Sequence, residues 1–389
     1  MCHLKANLLS KISVICFLLF ADIAIAGKIP ESLLNNDLLP DVAAESWVLL
    51  ENETAWVIAE KNADKRIEPA SLTKLMTTYI AFDMLEKGRI NLQDKAKISE
   101  NARYIEGSRM FAELNSELTV LELLKGIIVQ SGNDASIALA EFASGSEKAF
   151  VKKMNAAVKK LHLKNTNFEN VTGLPDENHY SSARDIALIS RALIHEFPQF
   201  YPWFGIKKMT HNNITQPNRN RLLDRADWVD GLKTGHTEAA GYCLAASGKQ
   251  GDTRFIAVVT NTKSDKARTD ATFSLLKYGF VNYELFTSKP ETLKKLLPVY
   301  GGVSDEIEVA PAESIQAVLP RGFAEENPVA LDFRLEEFLI APISAGDHVG
   351  ILRVRYKDTI VASISMQARK SIGLGSLFKR IIDRIKRSF

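Results

Sequence analysis

Apolar positions recur with two different periods along this chain, and the change comes near residue 286. Ahead of it, apolar runs at 47–50 and 55–59 flank the polar Asn52 and predict a strand pair over 45–59. Helical spacing then predicts helices over 71–85, closed by Gly88, and over 119–130, 134–143, 147–161, 183–195 and 266–279. A short polar break separates the second of these from the third. Continuous apolar runs at 242–246 and 255–259 read as two neighbouring strands. The order strands, helices, strands, helix predicts an α/β (α+β) domain whose sheet gathers strands from both ends of the segment.

Beyond 286 the period becomes two. Val329, Leu331, Phe333 and Leu335 alternate with Ala330, Asp332 and Arg334. Leu352, Val354 and Tyr356 do the same, as do Ile360, Ala362, Ile364 and Met366, with Lys357-Asp358 between them as a hairpin turn. This pattern predicts a small β domain over 290–366, following a main domain over 27–286.

The two ends have their own patterns. Lys5 and Lys11 precede a short apolar run over 12–20, and Ala24-Ile25-Ala26 supplies small residues for cleavage. Residues 1–26 therefore read as a secretory signal, too short in its apolar part to span a bilayer. Cys16 follows the bulky Ile15, which does not suit a lipoprotein signal, and the mature chain is taken as 27–389. At the other end, Leu374, Leu377, Phe378, Ile381, Ile382, Ile385 and Phe389 project onto an arc of about 140° on a helix. Basic residues fill the other side. Such a helix suits either packing on its own domain or lying in a membrane interface. The basic face, the export signal and the flexible Gly373 and Gly375 ahead of it favour an anionic membrane surface as partner of 374–389.

Composition narrows the classes. The 389 residues are 46% hydrophobic and 25% charged, which excludes a disordered or fibrous chain and allows two or three domains. A net charge of +2 argues against nucleic acid as partner. The charge is unevenly placed: residues 369–389 carry +6, residues 1–26 carry +1, and the body between holds −5. Of three cysteines only Cys243 survives removal of the signal, and its apolar surroundings make it a core residue.

Candidate chemistry centres on Ser71-Leu72-Thr73-Lys74. Residues i and i+3 share a helix face, so the Ser71 hydroxyl and Lys74 amine can meet. Pro69 favours a helix start there, which places Ser71 where backbone N–H groups stabilise negative charge. A neutral lysine could then activate the serine. The spacing alone is weak, since it recurs at Ser274/Lys277 and Ser376/Lys379. Two further motifs occur once each: Ser131-Gly132-Asn133 in the polar break, and Lys233-Thr234-Gly235 ahead of a strand. The ordered set Ser-x-x-Lys, Ser-x-Asn, Lys-Thr-Gly is that of penicillin-binding proteins and class A β-lactamases.

The chain resembles low-molecular-mass penicillin-binding proteins, the D-alanyl-D-alanine carboxypeptidases. The match is carried by residues 68–77, 130–135 and 230–237, and by Tyr180-Ser181-Ser182-Ala183-Arg184-Asp185. The resemblance implies a β-lactamase-like main domain with a five-stranded antiparallel sheet and a helical cluster. It implies Ser71 as acylated nucleophile, Lys74 as its base, Ser131 as a proton relay or a hydrogen-bond partner of the substrate carboxylate, and Asn133 as the residue orienting Lys74 and the substrate amide. Lys233 would help keep Lys74 neutral, and Thr234 would hold the substrate carboxylate. The N–H groups of Ser71 and His236, beside Gly235, would form an oxyanion hole. Arg268 resembles a carboxylate-binding arginine. The substrate implied is the pentapeptide stem of peptidoglycan, with β-lactams as inhibitors, at the periplasmic face of the cytoplasmic membrane.

One departure bears on the reaction. No Glu-x-x-Leu-Asn segment lies between Ser131 and Lys233, and residues 169–173 do not match one. Carboxypeptidase is therefore favoured over β-lactamase; a cross-link endopeptidase on the same fold remains an alternative, as does a silent cell-wall binder, against which all three motifs being intact argues. No cofactor or metal is expected: His195-Glu196 is followed by Gln199 where a zinc helix needs histidine.

Overall fold

The structure, a computed structural model, describes residues 29–34, 39–323 and 328–387. The expected signal segment 1–26 and Phe389 lie outside the described residues.

The central sheet is built from β1 (Ser46–Glu51), β2 (Val57–Lys61), β3 (Val229–Thr237), β4 (Gly241–Gln250) and β5 (Thr253–Thr262), in spatial order β2-β1-β5-β4-β3. Every pairing is antiparallel, so strands from both ends of the domain do share one sheet. Helices cover both faces, which is why these strands read as continuous apolar runs. Val48, Leu50, Ala245, Ile256 and Val258 face one core, and Trp47, Leu49, Leu244, Phe255 and Ala257 face the other.

The first core is closed by α1 (Thr73–Glu86), α2 (Val120–Gln130), α3 (Asn133–Ser144), α4 (Glu147–Lys160) and α5 (Ala183–Glu196). Thr119 and Glu122 form a capping box at the start of α2. Helix α5 is capped by Ser182, whose hydroxyl accepts from Asp185 N–H. Asp185 in turn accepts from Lys164 N–H, Asn165 N–H and the Thr166 hydroxyl, and Arg184 pairs with Glu60 and Asp64. The motif at 180–185 is thus a structural clamp.

The second core is closed by α6 (Asp265–Asn282). An added Cβ at Gly279 would sit 2.8 Å from the Phe255 ring, so glycine sets the close approach of α6 to the sheet. Helix α6 runs directly into β6 (Tyr283–Ser288), which pairs with β9 (Ile315–Pro320). The β domain therefore begins at Tyr283, ahead of the expected 290, with no linker.

Its main sheet joins β7 (Lys295–Tyr300), β8 (Glu306–Pro311), β10 (Ala330–Leu335), β11 (Leu339–Ile340), β12 (His348–Tyr356) and β13 (Thr359–Ala368) in the order β10-β12-β13-β8-β7-β11. The hairpin at Lys357-Asp358 joins β12 to β13, with Tyr356 opposite Thr359. Leu352, Val354 and Tyr356 are buried as their alternation predicts. The alternation fails on β13. Val354 faces Ala362 and Arg355 faces Ile360, so Val361 is an unpaired bulge residue. The bulge turns Val361 inward and leaves Ile360 exposed. Leu331, on the edge strand β10, is exposed as well.

The chain ends in α7 (Leu377–Lys386). Gly373 and Gly375 do not form the flexible joint expected. Gly373 O accepts from Val303 N–H at 3.0 Å, and Gly375 N–H donates to Gly301 O at 2.9 Å. A Cβ at Gly375 would lie 2.6 Å from Gly302 O, so glycine here permits a close seam rather than motion. Among the described residues no helix is long and apolar enough to cross a membrane.

Candidate active site

Ser71 lies in a single 3-10 turn, Ala70–Leu72, that leads into α1. Ala70 holds φ at +47°, a region a residue with a Cβ adopts at a cost of about 1–3 kcal/mol. Segment 169–174 wraps over this turn. Gly173, at φ +84°, comes so near that an added Cβ would fall 1.8 Å from Ala70 O. Strand β3 closes from the other side, where a Cβ on Gly235 would meet Pro69 O at 3.0 Å. The Lys-Thr-Gly glycine thus lets β3 run along the Ser71 turn.

Lys74 Nζ and Ser71 Oγ stand 2.8 Å apart. Lys74 also donates to Thr172 O at 2.6 Å, and the side chain is fully buried. Burial, followed by the charge of Arg219, lowers its pKa to about 7, while Asp134 opposes the shift. Lys233 is buried too and donates to Thr234 O at 3.0 Å. Burial, then Lys74, Arg219 and Arg268, holds it well below the usual lysine value. The cation acting on Lys74 after burial is therefore Arg219, a residue the sequence did not single out.

Ser131 ends α2 in the left-handed region, φ +63°, and Asn133 opens α3. Asp134 fixes the facing loop by accepting from Met110 and Ala112 N–H at 3.0 and 3.1 Å. Asn133 Nδ2 donates to Glu106 O at 2.6 Å. The contact through which Asn133 was expected to orient Lys74 is not a hydrogen bond here: Lys74 donates to Ser71 Oγ and Thr172 O. Ser131 Oγ and Asn133 Oδ1 are buried without a hydrogen-bond partner, polar atoms open to an incoming group.

A cleft of about 370 Å³ joins these elements. Ser71, Ser131, Asn133, Thr234, Gly235, His236 and Arg268 all line it, and Lys74 and Lys233 lie beneath. Thr172, Gly173, Leu174, Gly107, Ser108, Thr237 and Arg219 line it as well, none of them foreseen. Among the described residues, none that lines the cleft is an aspartate or glutamate. Segment 169–173, which does not match a deacylating motif, does reach the site, but it presents a carbonyl and a glycine there. His179 secures it: the ring Nδ1 accepts from Glu169 N–H at 3.2 Å, so Nε2–H donates to Thr73 Oγ1 at 2.8 Å. Burial lowers the His179 pKa to about 4, which keeps this pair of hydrogen bonds neutral.

The two arginines differ. Arg268 donates to Gly235 O at 2.9 Å and Cys243 O at 3.2 Å and pairs with Asp265 at 2.6 Å. It braces the end of β3 and keeps one of five N–H donors uncommitted. Arg219 has no hydrogen-bond or ion-pair partner among the described residues. Its flanking Asn218 and Asn220 pin the backbone through Ile206 O and Gly231 O. Cys243 is a buried core residue, and burial pushes its thiol up to about 11.

A family model of D-alanyl-D-alanine carboxypeptidases matches residues 34–264. The chain belongs to the D-alanyl-D-alanine carboxypeptidase family. Residues 283–373 match a second model, the C-terminal domain of penicillin-binding protein 5. The chain is 38% identical to D-alanyl-D-alanine carboxypeptidase DacC of Escherichia coli (strain K12), over 90% of this chain and 89% of that one. It is 39% identical to carboxypeptidase DacF of Bacillus subtilis (strain 168), over 87% and 88%. The crystal structure of penicillin binding protein 5 from Haemophilus influenzae superposes with a TM-score of 0.80 at 37% identity, covering 86% of this chain and 98% of that one. As a D-alanyl-D-alanine carboxypeptidase the chain is a serine-type hydrolase, and its main and β domains both have counterparts in the family.

Proposed function

We propose that this enzyme removes the terminal D-alanine of peptidoglycan pentapeptide stems through an acyl-enzyme on Ser71. The observation that carries the reading is the cleft itself: a serine beside a lysine of pKa about 7, ringed by cations and free of acidic lining residues. Neutral Lys74 takes the Ser71 proton as Oγ attacks the carbonyl carbon of the scissile D-Ala–D-Ala bond. The N–H groups of Ser71 and His236 receive the oxyanion, and Asn133 Oδ1 accepts from the substrate amide. The proton on Lys74 passes, directly or through Ser131, to the departing D-alanine nitrogen. Water then hydrolyses the ester and frees Ser71. A β-lactam would acylate Ser71 by ring opening, and among the described residues no carboxylate lines the cleft to activate water against that adduct.

Incubation with purified muropeptides tests this reading by mass. Pentapeptide stems should lose one D-alanine each while cross-linked dimers persist; cleaved dimers with intact pentapeptides would point to the endopeptidase instead.

The leaving D-alanine carries a carboxylate, and Arg219, a cation with no hydrogen-bond or ion-pair partner among the described residues, would hold it with Thr234 and Lys233. Arg219→Ala should lower kcat/KM on acyl-D-Ala-D-Ala by about 10–100-fold, the loss of a charged hydrogen bond of roughly 1.5–3 kcal/mol. The same variant should barely alter turnover of the C-terminal amide. Equal losses on both peptides would assign Arg219 to structure alone.

For the tail, the same proposal is export followed by peripheral attachment to the membrane. Helix α7 meets the β domain by its polar back: Asp383 Oδ2 accepts from Gly301 N–H at 2.8 Å, and Lys379 pairs with Asp305. Its apolar front, Leu377, Phe378, Ile381, Ile382 and Ile385, is 37–75% exposed. A helix packed on its own domain would bury that front; one lying in an anionic bilayer surface would present it.

A further inference from the structure

We propose that the groove between α7 and the β domain seats the phosphate of one anionic phospholipid. The inference deepens the membrane reading above and rests on it. The groove holds about 170 Å³ and has two unlike walls. Arg380, Arg384 and Arg387 form one wall; Tyr300, Ile340 and Leu374 form the other.

The helix geometry explains the arrangement. At 100° per residue Arg380, Arg384 and Arg387 fall on one narrow stripe, since i, i+4 and i+7 share a face. That stripe borders the apolar front on one side and Asp383 on the other; Asp383 also lines the groove, its carboxylate engaged by Gly301 N–H and Lys379. With the front in the acyl region, the arginine stripe lies at the level of the lipid phosphates. Arg380 has no ion-pair partner among the described residues, and Arg387 lies over the Phe338 ring at 5.9 Å.

The β-domain wall fits the rest of a lipid. Ile340 and Leu374 are 54% and 50% exposed, large apolar groups outside the domain's core among the described residues. Tyr300 and Phe338 meet edge to face at 5.2 Å, an aromatic pair of the kind that sits at headgroup depth. The groove also keeps its shape. Ile340 is paired to Tyr300 through β11 and β7, Leu374 bridges Gly302, and Ile372 bridges Ile343. A delocalised basic patch needs no such walls. A phosphate held by guanidinium groups beside an apolar ledge for the acyl chain does.

Vesicle flotation separates the inference from its premise. Four proteins are compared on phosphatidylcholine vesicles and on phosphatidylcholine–phosphatidylglycerol vesicles: the wild type, Arg380→Gln/Arg387→Gln, the charge-matched Lys370→Gln/Lys386→Gln, and Ile381→Asp. The arginine pair should lose on the order of tenfold on the mixed vesicles only. The lysine pair should lose clearly less. Equal losses by the two pairs overturn the seat and leave general electrostatic attraction. An Ile381→Asp protein that binds both vesicles like the wild type overturns attachment through α7, and the seat with it. In a second measurement, monomeric dihexanoylphosphatidylglycerol should shift the amide signals of Gly301 and Ile340 in the wild type but not in the arginine pair. Inorganic phosphate producing the same shifts at the same concentration would make the groove an adventitious anion site only, and would overturn the lipid assignment.

Discussion

Benzylpenicillin is expected to leave one covalent adduct, mapped by peptide mass to Ser71, and Ser71→Ala is expected to abolish it. Lys74→Met keeps the length of the side chain and removes the base. It should slow acylation by roughly 10²–10⁴, the usual size of lost acid–base catalysis. The same lysine sets a pH dependence. Its pKa of about 7 makes about half the molecules competent at pH 7, and acylation should fall about tenfold per pH unit below that. Stability follows the opposite bookkeeping from that of an ion pair. The folded pKa lies below the unfolded value of 10.5, so the unfolded chain binds the extra proton between pH 7 and 10.5. Folding is therefore penalised most below pH 7, and the penalty fades as pH rises through that window. Lys74→Met removes the titrating group, so its melting temperature at pH 7 should not fall below that of the wild type. A variant inactive because it is unfolded would show the reverse. Label retained on the Ser71→Ala protein would place the nucleophile elsewhere.

The second large effect is expected at the tail. Ile381 is 60% exposed at the middle of the apolar front. Full withdrawal of such a side chain from water contributes roughly 1.5–3 kcal/mol, and aspartate adds the cost of dehydrating a carboxylate. Ile381→Asp should thus weaken vesicle binding by roughly a hundredfold, at low and high salt alike. Neutralising the basic residues should matter mainly on anionic vesicles at low salt, because screening acts on exposed charge. A chain truncated after Arg369 should leave the membrane and still hydrolyse small peptides, since the cleft residues run only from Ser71 to Arg268. If the truncated chain binds vesicles as well as the full one, α7 is not the anchor.

Features that depend on neighbours along the chain were legible in the residues themselves. Ser71 and Lys74 meet because one helical turn separates them, and the helices over 120–130 and 265–282 begin at the side-chain caps of Thr119 and Ser264. The paired apolar runs at 242–246 and 255–259 follow from a sheet buried on both faces. Tertiary structure decided what depends on distant segments. Arg219 stands in a polar loop with nothing to distinguish it from Arg221 or Arg225 until the fold brings it over Lys74 and Lys233. Thr172 acts through its carbonyl, and a main-chain atom leaves no mark in residue identity. Asn133 carries the right motif, yet its Nδ2 donates to Glu106 O, a partner from a distant loop that the motif does not announce. Val361 and Ile360 exchange faces because one bulge residue resets a period of two. Gly375 looks like a joint in the sequence and is a seam in the structure, because a missing Cβ permits close contact as readily as motion, and only the neighbouring Gly302 carbonyl tells the two apart.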